Sequence, residues 1–343
     1  MPTSEGRREV TAAIVGLGDI SAVHLAAMAR NPHVRLVGVC DVDPARAARA
    51  SEQLGVPGFT DHRAMFQDLQ PQVVHVTTPH HQHVPVAIDA LDAGVHVLSE
   101  KPVAHSVAEG RRLADRAADA TVKVGLVLQN RYNPTSVAIR DVLGSGQLGP
   151  IQGGRASVWW SRTPAYYAAS PWRGRWSEGG GGVLINQAIH TLDLLLWFLG
   201  DPVASSGSAA TLALADSIEV EDTATIVIDH AGGPRSLLFA TNTHHTNAMV
   251  ELQITGRDAT VALVGGETLL TDSAGTRMLA TDAQDTGERS YWGMGHQLLI
   301  DDFYAKLDDP EPFWLSPAVG LTALQVLRAS YRQSGLLPGG MPL

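Results

Sequence analysis

Over its first 125 residues the chain alternates short runs rich in β-branched residues with amphipathic helical patterns, and few folds accept that rhythm. Strands are expected at Thr11–Leu17, Val34–Asp41, Val73–Thr77, His96–Ser99 and Lys123–Leu128, and helices at Ser21–Arg30, Pro44–Leu54, Val84–Ala93 and Val107–Ala118. In the third helix Val84, Ala87, Ile88 and Leu91 keep the i, i+3, i+4, i+7 spacing of one buried face. The pattern is that of βαβ units building a doubly wound parallel sheet.

After about residue 150 the period changes to strand-like segments broken by Gly, Asp and Asn: Ile151–Trp160, Asp222–Ile228, Arg235–Thr243, Val250–Thr255 and Ala259–Val264. These are expected to form one mostly antiparallel sheet. A glycine-led helix, Val183–Leu199, interrupts it, and helical patterns at Gly295–Leu307 and Ala318–Ser334 follow. With 343 residues there is enough chain for two cores. The reading is an α/β domain over 1–128 and an α+β domain over 129–343.

Charge narrows the partners. Lys plus Arg is 25 against 35 Asp plus Glu, a net charge of −10, which argues against a nucleic-acid partner. The most apolar stretch, Leu192–Leu199, falls short of the roughly 20 residues a membrane helix needs, so no span is expected. The amino terminus is polar and the run Ala12–Leu17 is too short for a signal peptide, so the chain is read as cytoplasmic. A single cysteine, Cys40, excludes an internal disulfide and any CxxC centre.

At the end of the first strand Gly16 and Gly18 stand before a helix, with Asp19 and Ile20 between loop and helix. Glycine at 16 allows a tight turn, glycine at 18 lets the backbone approach a pyrophosphate, and a helix starting near Ile20 aims free N–H groups at the phosphates. Ser21 occupies a third position normally held by Gly or Ala. The second strand ends at Asp41, placed to accept both adenosine ribose hydroxyls and to repel a 2′-phosphate, so NAD is expected over NADP. The other role open to Asp41 is a helix N-cap ahead of Pro44.

Ser99-Glu100-Lys101-Pro102 follows a buried parallel strand, which puts a lysine on the ligand-binding edge of the sheet. Proline at 102 holds Lys101 extended. A lysine of lowered pKa serves as a general acid or base near neutral pH, and the alternative is a turn lysine paired with Glu100.

The stretch Val76-Thr77-Thr78-Pro79-His80-His81-Gln82-His83, the run Ala90 to Pro102, and GGGGVLINQAIHTLD from Gly179 to Asp193 together resemble the glucose–fructose oxidoreductase / inositol dehydrogenase / rhizopine catabolism (Gfo/Idh/MocA) family. The resemblance runs from about Ala12 to Ser334. It implies a Rossmann domain followed by a domain with a large, mostly antiparallel sheet, and hydride transfer between a nicotinamide cofactor and a sugar or cyclitol carbon. It implies proton transfer by Lys101 and His190, and it sets Thr77, Thr78, Pro79, His83, Glu100 and Lys101 against the cofactor. A homodimer or homotetramer is implied as well, and an apolar sheet face in a chain with few charges points the same way.

On the glycine-led helix Asn186, His190 and Asp193 stand at i, i+4 and i+7, one polar stripe beside the apolar Leu192, Leu195, Leu196 and Leu199. That stripe is read as a cavity wall. Family members often carry Asp where this chain has Asn186, and an amide can only orient a hydroxyl. Asp193 is expected to orient His190 or to accept from a substrate hydroxyl, with structural capping as the alternative. Arg131, Tyr166, Arg173, Asn186 and Asp193 are the candidate substrate residues; Trp160 and Trp172 offer further flat surfaces, and His296, after Tyr291-Trp292-Gly293, is a lesser candidate.

His80, His81 and His83 lie within four residues, as a metal site would require, but no carboxylate lies close by and no metal is assigned; His244-His245 is read the same way. The expected activity is that of an NAD-dependent dehydrogenase or ketoreductase acting on a polyol CH–OH group. The rivals are a redox-neutral enzyme with tightly held NAD, which epimerises or cleaves a glycoside, and a non-catalytic NAD sensor.

Overall fold

β1 (Val10–Val15), β2 (Val34–Cys40), β3 (Gly58–Phe59), β4 (Val73–Val76), β5 (His96–Ser99) and β6 (Val124–Leu126) pair in the order β3-β2-β1-β4-β5-β6, every pair parallel. This computed structural model describes residues 9–282 and 294–337. The polar amino terminus before Glu9 and the turn Tyr291-Trp292-Gly293 lie outside them. The strand order reverses between β1 and β4, which makes their carboxyl ends a topological switch point, the place where such sheets take ligands. Ala12, Ala13 and Ile14 of β1 and Val73, Val74 and Val76 of β4 are fully buried, as the central strands of a parallel sheet must be.

Three features of this unit escaped the sequence reading. β3 has only two residues, too few to show a period, and the helix after it, His62–Leu69, starts on an Asp61 cap whose side chain accepts from the Arg63 N–H. The helix expected at Val84–Ala93 begins four residues earlier and spans His80–Asp92, carrying Pro85 inside it. Proline removes one intrahelical bond and hid the first turn.

The second unit is built on β7 (Ile151–Trp159), β8 (Pro202–Ala210), β9 (Thr223–His230), β10 (Arg235–Thr241), β11 (Glu251–Gly256), β12 (Thr260–Val264), β13 (Glu267–Asp272) and β14 (Gly275–Thr281). Their order is β14-β13-β12-β11-β7-β10-β9-β8, antiparallel throughout except that β10 runs parallel to β7. β8, β13 and β14 were not expected, and two of them are the sheet's edges. β8 is made mostly of Ala, Ser and Gly and β14 is almost wholly exposed, so neither shows apolar alternation.

The chain leaves the first unit after Val127, but the second domain does not then run uninterrupted to the end as the sequence reading had it. His296–Ala318 returns to the first unit, where Leu126 N–H donates to the Leu315 carbonyl at 2.7 Å. Leu299, Ile300 and Phe303 of the Gly295–Ala305 helix are fully buried there. Their spacing announces an apolar face without saying which core receives it. His105–Ala108 goes the other way, into the second unit.

The glycine-led helix is likewise not one regular helix. Leu184–Ala188 forms a π-helical turn and only Ile189–Leu199 is α-helical. The whole stretch Trp176–Leu199 is long and apolar enough to cross a membrane by length and composition, and 83% of its most apolar window is buried inside the protein, as in a core helix.

Candidate active site

The first unit gathers its candidate residues on the carboxyl edge of β1, β2, β4 and β5. Gly16 has φ 93°, and a Cβ there would stand 2.7 Å from the Thr77 carbonyl carbon, so the loop lies directly against the end of β4. Thr77 clamps that contact: its hydroxyl donates to the carbonyls of Gly16 (2.6 Å) and Val15 (3.1 Å). At Gly18 a Cβ would meet nothing within 4 Å, which leaves open space over the loop. Ser21 fills the third position with a purpose, since its hydroxyl donates to the Gly18 carbonyl at 2.6 Å. The Ser21–Arg30 helix starts from Ile20 with no side-chain cap and no acid in its first turn, which keeps its amino end suited to an anion.

Asp41 is buried, and its carboxylate holds the loop from the other side, accepting from Leu17 N–H at 2.8 Å and Asp43 N–H at 2.9 Å. Each oxygen keeps a further lone pair for a ribose hydroxyl. The N-cap of the next helix is Asp43, whose side chain accepts from Ala45 and Arg46 N–H, so the capping role for Asp41 falls away. On the β4 side the Thr78 hydroxyl is buried without a hydrogen-bonding partner among the described residues. An open cradle at Gly18, an acid at the end of β2 and an orphan hydroxyl after β4 fit a dinucleotide.

Other expected contacts have different duties here. His83 is buried, and its ring nitrogens face the carbonyls of Pro102 (2.8 Å) and Thr78 (2.9 Å), so it ties the two loops beside the cofactor edge together and has no nitrogen left for a ligand. Burial lowers its pKa, and the two carbonyls only partly offset that. Pro79 N-caps the His80–Asp92 helix. Glu100 turns into the unit: Oε1 faces His24 Nε2 at 3.1 Å while Oε2 accepts from Lys101 N–H at 3.1 Å. Burial alone would raise its pKa, but His24 and His296 outweigh burial and hold it well below the carboxylate range. Lys101, half-buried, follows β5 on the same edge, and the Lys101–Pro102 peptide is cis.

In the second unit the π-helical turn shifts the phase of the expected stripe. Asn186 and His190 are half-buried, but Asp193 is buried and bound to Arg131 by two hydrogen bonds, Nε to Oδ2 at 2.8 Å and Nη2 to Oδ1 at 2.7 Å. The Asp193 carboxylate is thus engaged by Arg131, and Asp193 is not the partner that orients His190. A buried carboxylate needs a cation, and these two take each other. Gln129 faces His190, 3.4 Å from Nε2 to Nε2, and sits on the same 3₁₀ turn as Arg131. The guanidinium groups of Arg162 and Arg173 lie 5.0 and 4.7 Å from the Tyr166 ring centre, and the Tyr166 hydroxyl accepts from Gln187 at 3.4 Å.

The four glycines serve packing. A side chain at Gly181 would run into the Tyr331 ring, and one at Gly182 into the Glu221 carbonyl. Glu221, fully buried, accepts from Gly182 N–H (2.7 Å), Leu184 N–H (2.9 Å) and Tyr331 Oη (2.8 Å), and so caps the segment that carries Asn186 and His190. Burial pushes its pKa up to about 7 despite those donors. Sequence reading missed Gln129, Glu221 and His24; the only signal was a polar residue inside or beside an otherwise apolar element.

Comparison with known proteins agrees with this geometry. Residues 10–127 match an oxidoreductase family described by its NAD-binding Rossmann fold, and residues 136–262 match the C-terminal domain of the same family. Levoglucosan dehydrogenase from Pseudarthrobacter phenanthrenivorans is 26% identical over 282 residues, 72% of each chain. Inositol 2-dehydrogenase from Rubrobacter xylanophilus is 29% identical over 198 residues, 57% of this chain and 53% of the relative. Among solved structures, the WlbA dehydrogenase of Bordetella pertussis, in complex with NADH and UDP-GlcNAcA, superposes with a TM-score of 0.83 at 28% identity, covering 98% of this chain and 99% of that one.

Proposed function

The chain belongs to the Gfo/Idh/MocA oxidoreductase family, a dehydrogenase with an NAD-binding Rossmann domain, and from that premise we propose that it moves a hydride between NAD and a CH–OH carbon of a sugar, sugar derivative or cyclitol. The observation that carries the reading is the edge built in the first unit: Gly16 and Gly18, Asp41, Thr78 and Lys101 all follow strands of one parallel sheet at its ligand-binding end. NAD, when bound, supplies the hydride acceptor.

Lys101 takes the hydroxyl proton in oxidation and returns it in reduction, with its backbone fixed by Glu100. His190, faced by Gln129, is the second proton-handling group, and Asn186 orients a substrate hydroxyl. Tyr166 and Arg173 present a flat, donor-rich surface to a sugar ring. Relatives named as levoglucosan and inositol dehydrogenases support the substrate class. A screen of sugars and inositols for NADH absorbance tests the proposal. Turnover of at least one polyol is expected; failure of every polyol together with failure to bind NAD would overturn it.

The chain is proposed to act as a homo-oligomer, dimer or tetramer. The open face of the second sheet carries Trp159 and Leu237, 39% and 42% exposed, with the Phe239 ring tilted at 38° and centred 4.4 Å from that of Trp159.

A further inference from the structure

Beneath the Lys101 turn four titratable side chains are buried in series. Glu100 Oε1 lies 3.1 Å from His24 Nε2, His24 Nδ1 lies 2.7 Å from His75 Nδ1, and His75 Nε2 lies 2.9 Å from Tyr304 Oη. Their exposures are 5%, 0%, 0% and 8%, so Tyr304 is the member with most access to solvent. They come from four separate elements of one unit: the turn after β5, the Ser21–Arg30 helix, β4 and the Gly295–Ala305 helix. Apolar residues would fill the same space without the desolvation penalty that each of these groups carries.

The geometry permits one proton arrangement when both imidazoles are neutral. Glu100 is a carboxylate and only accepts, so His24 carries its proton on Nε2 and accepts at Nδ1. His75 must then donate from Nδ1 and accept at Nε2, where the Tyr304 hydroxyl donates. All three protons point toward Glu100. His296, whose Nε2 stands 3.6 Å from the same Glu100 oxygen, is the other titratable group facing the carboxylate, and Lys101 N–H holds its second oxygen.

We propose that Tyr304, His75 and His24 form a proton relay that runs from Tyr304, the least buried of the four, to the Glu100 carboxylate under Lys101; this rests on the reading of Lys101 as the proton-handling residue. A proton reaching the Tyr304 oxygen displaces the hydroxyl proton onto His75 Nε2, and the His75 Nδ1 proton passes to His24 Nδ1. Tyr304 and His75 end neutral, with His75 in the opposite tautomer, and His24 ends as an imidazolium on the Glu100 carboxylate. The chain has gained one proton, and the reverse sequence releases it. Each time Lys101 exchanges a proton with substrate, the relay adjusts the charge beside it without opening the cofactor edge to water.

Side-chain nitrogen NMR of the whole protein, with NAD absent, tests the arrangement without any substrate. Neutral His24 is expected as the Nε2–H tautomer and His75 as the Nδ1–H tautomer, with His75 staying uncharged from pH 5 to 9 and both tautomers kept in Tyr304→Phe, since His24 and Glu100 alone fix them. The opposite tautomers, or a His75 that takes charge on its own near its ordinary pKa, would overturn the relay. With whichever polyol the screen identifies, Tyr304→Phe and His75→Gln should lower kcat about tenfold with KM unchanged and should change the solvent isotope effect. Variants that fold by thermal shift yet keep the wild-type kcat and isotope effect would make the chain purely structural. If no polyol reduces NAD, the proposed activity fails and the NMR result still decides the relay.

Discussion

Arg131 and Asp193 grip each other through two parallel hydrogen bonds of 2.8 and 2.7 Å, with side chains only 8% and 3% exposed. Burial raises the Asp193 pKa and Arg131 draws it partly back, so the cation is what keeps this carboxylate tolerable in the core. Arg131→Met should therefore destabilise the second unit by about 3 to 5 kcal/mol, because it leaves a buried acid alone. Asp193→Leu added to Arg131→Met should recover much of the loss. Urea unfolding of the parent and the two variants checks this; a single mutant as stable as the parent would refute a structural role.

The two glycines of the phosphate loop should fail differently. A side chain at Gly18 meets open space, so Gly18→Val should fold with an unchanged apo melting temperature and lose the stabilisation that NAD confers. Gly16→Ala places a Cβ against Thr77 at positive φ and should lower the apo melting temperature itself. Asp41→Ala should weaken NAD and narrow its preference over NADP. Thermal shift with each cofactor separates the cases, and equal affinity of the parent for NAD and NADP would remove the role given to Asp41.

Glu221 predicts a stability trend with pH. Its folded pKa stands near 7 against an ordinary 4.5, so the native state holds this proton more tightly than the unfolded chain does. That contribution is complete below about pH 4.5 and is lost as pH rises through about 7, a swing on the order of 3 kcal/mol. Glu221→Gln, which has no charge to bury, should flatten this part of the profile. Denaturation at pH 5, 6, 7 and 8 measures it, and an unchanged slope in the variant would show that Glu221 is ionised throughout.

On the polyol identified by screening, Lys101→Ala and His190→Ala should each lower kcat by about 10² to 10⁴ with little change in NAD affinity. Gln129→Ala should give a smaller loss and shift the pH profile, since the amide orients His190 and does not exchange its proton. Asn186→Asp should preserve turnover. Near-normal kcat in His190→Ala would leave the proton to Lys101 alone.

Light scattering at micromolar concentration should find a dimer or tetramer. The register sets Leu237 beside Arg155 and Thr241 beside Trp159, so both exposed apolar side chains share one face of the sheet. Leu237→Glu should shift the population to a smaller species, and a monomeric parent would sink the proposal.

Periodicity and short spacing carried the first domain: the strands ending at Val15, Cys40, Val76 and Ser99, the loop at Gly16 and Gly18, Asp41 and the Lys101 turn were all readable, because each depends on neighbours within a few residues. Long-range pairing was not. That Asp193 would turn from His190 to Arg131 depends on a π-helical turn and on burial, and that Glu221 would cap the glycine-led segment depends on a residue 37 positions away, ahead of β9. The return of His296–Ala318 to the first unit, which brings Tyr304 to His75, depends on which core has room for an apolar helix face. An amino-acid pattern states that a face must be buried or a charge compensated; only the packed chain decides which partner does it.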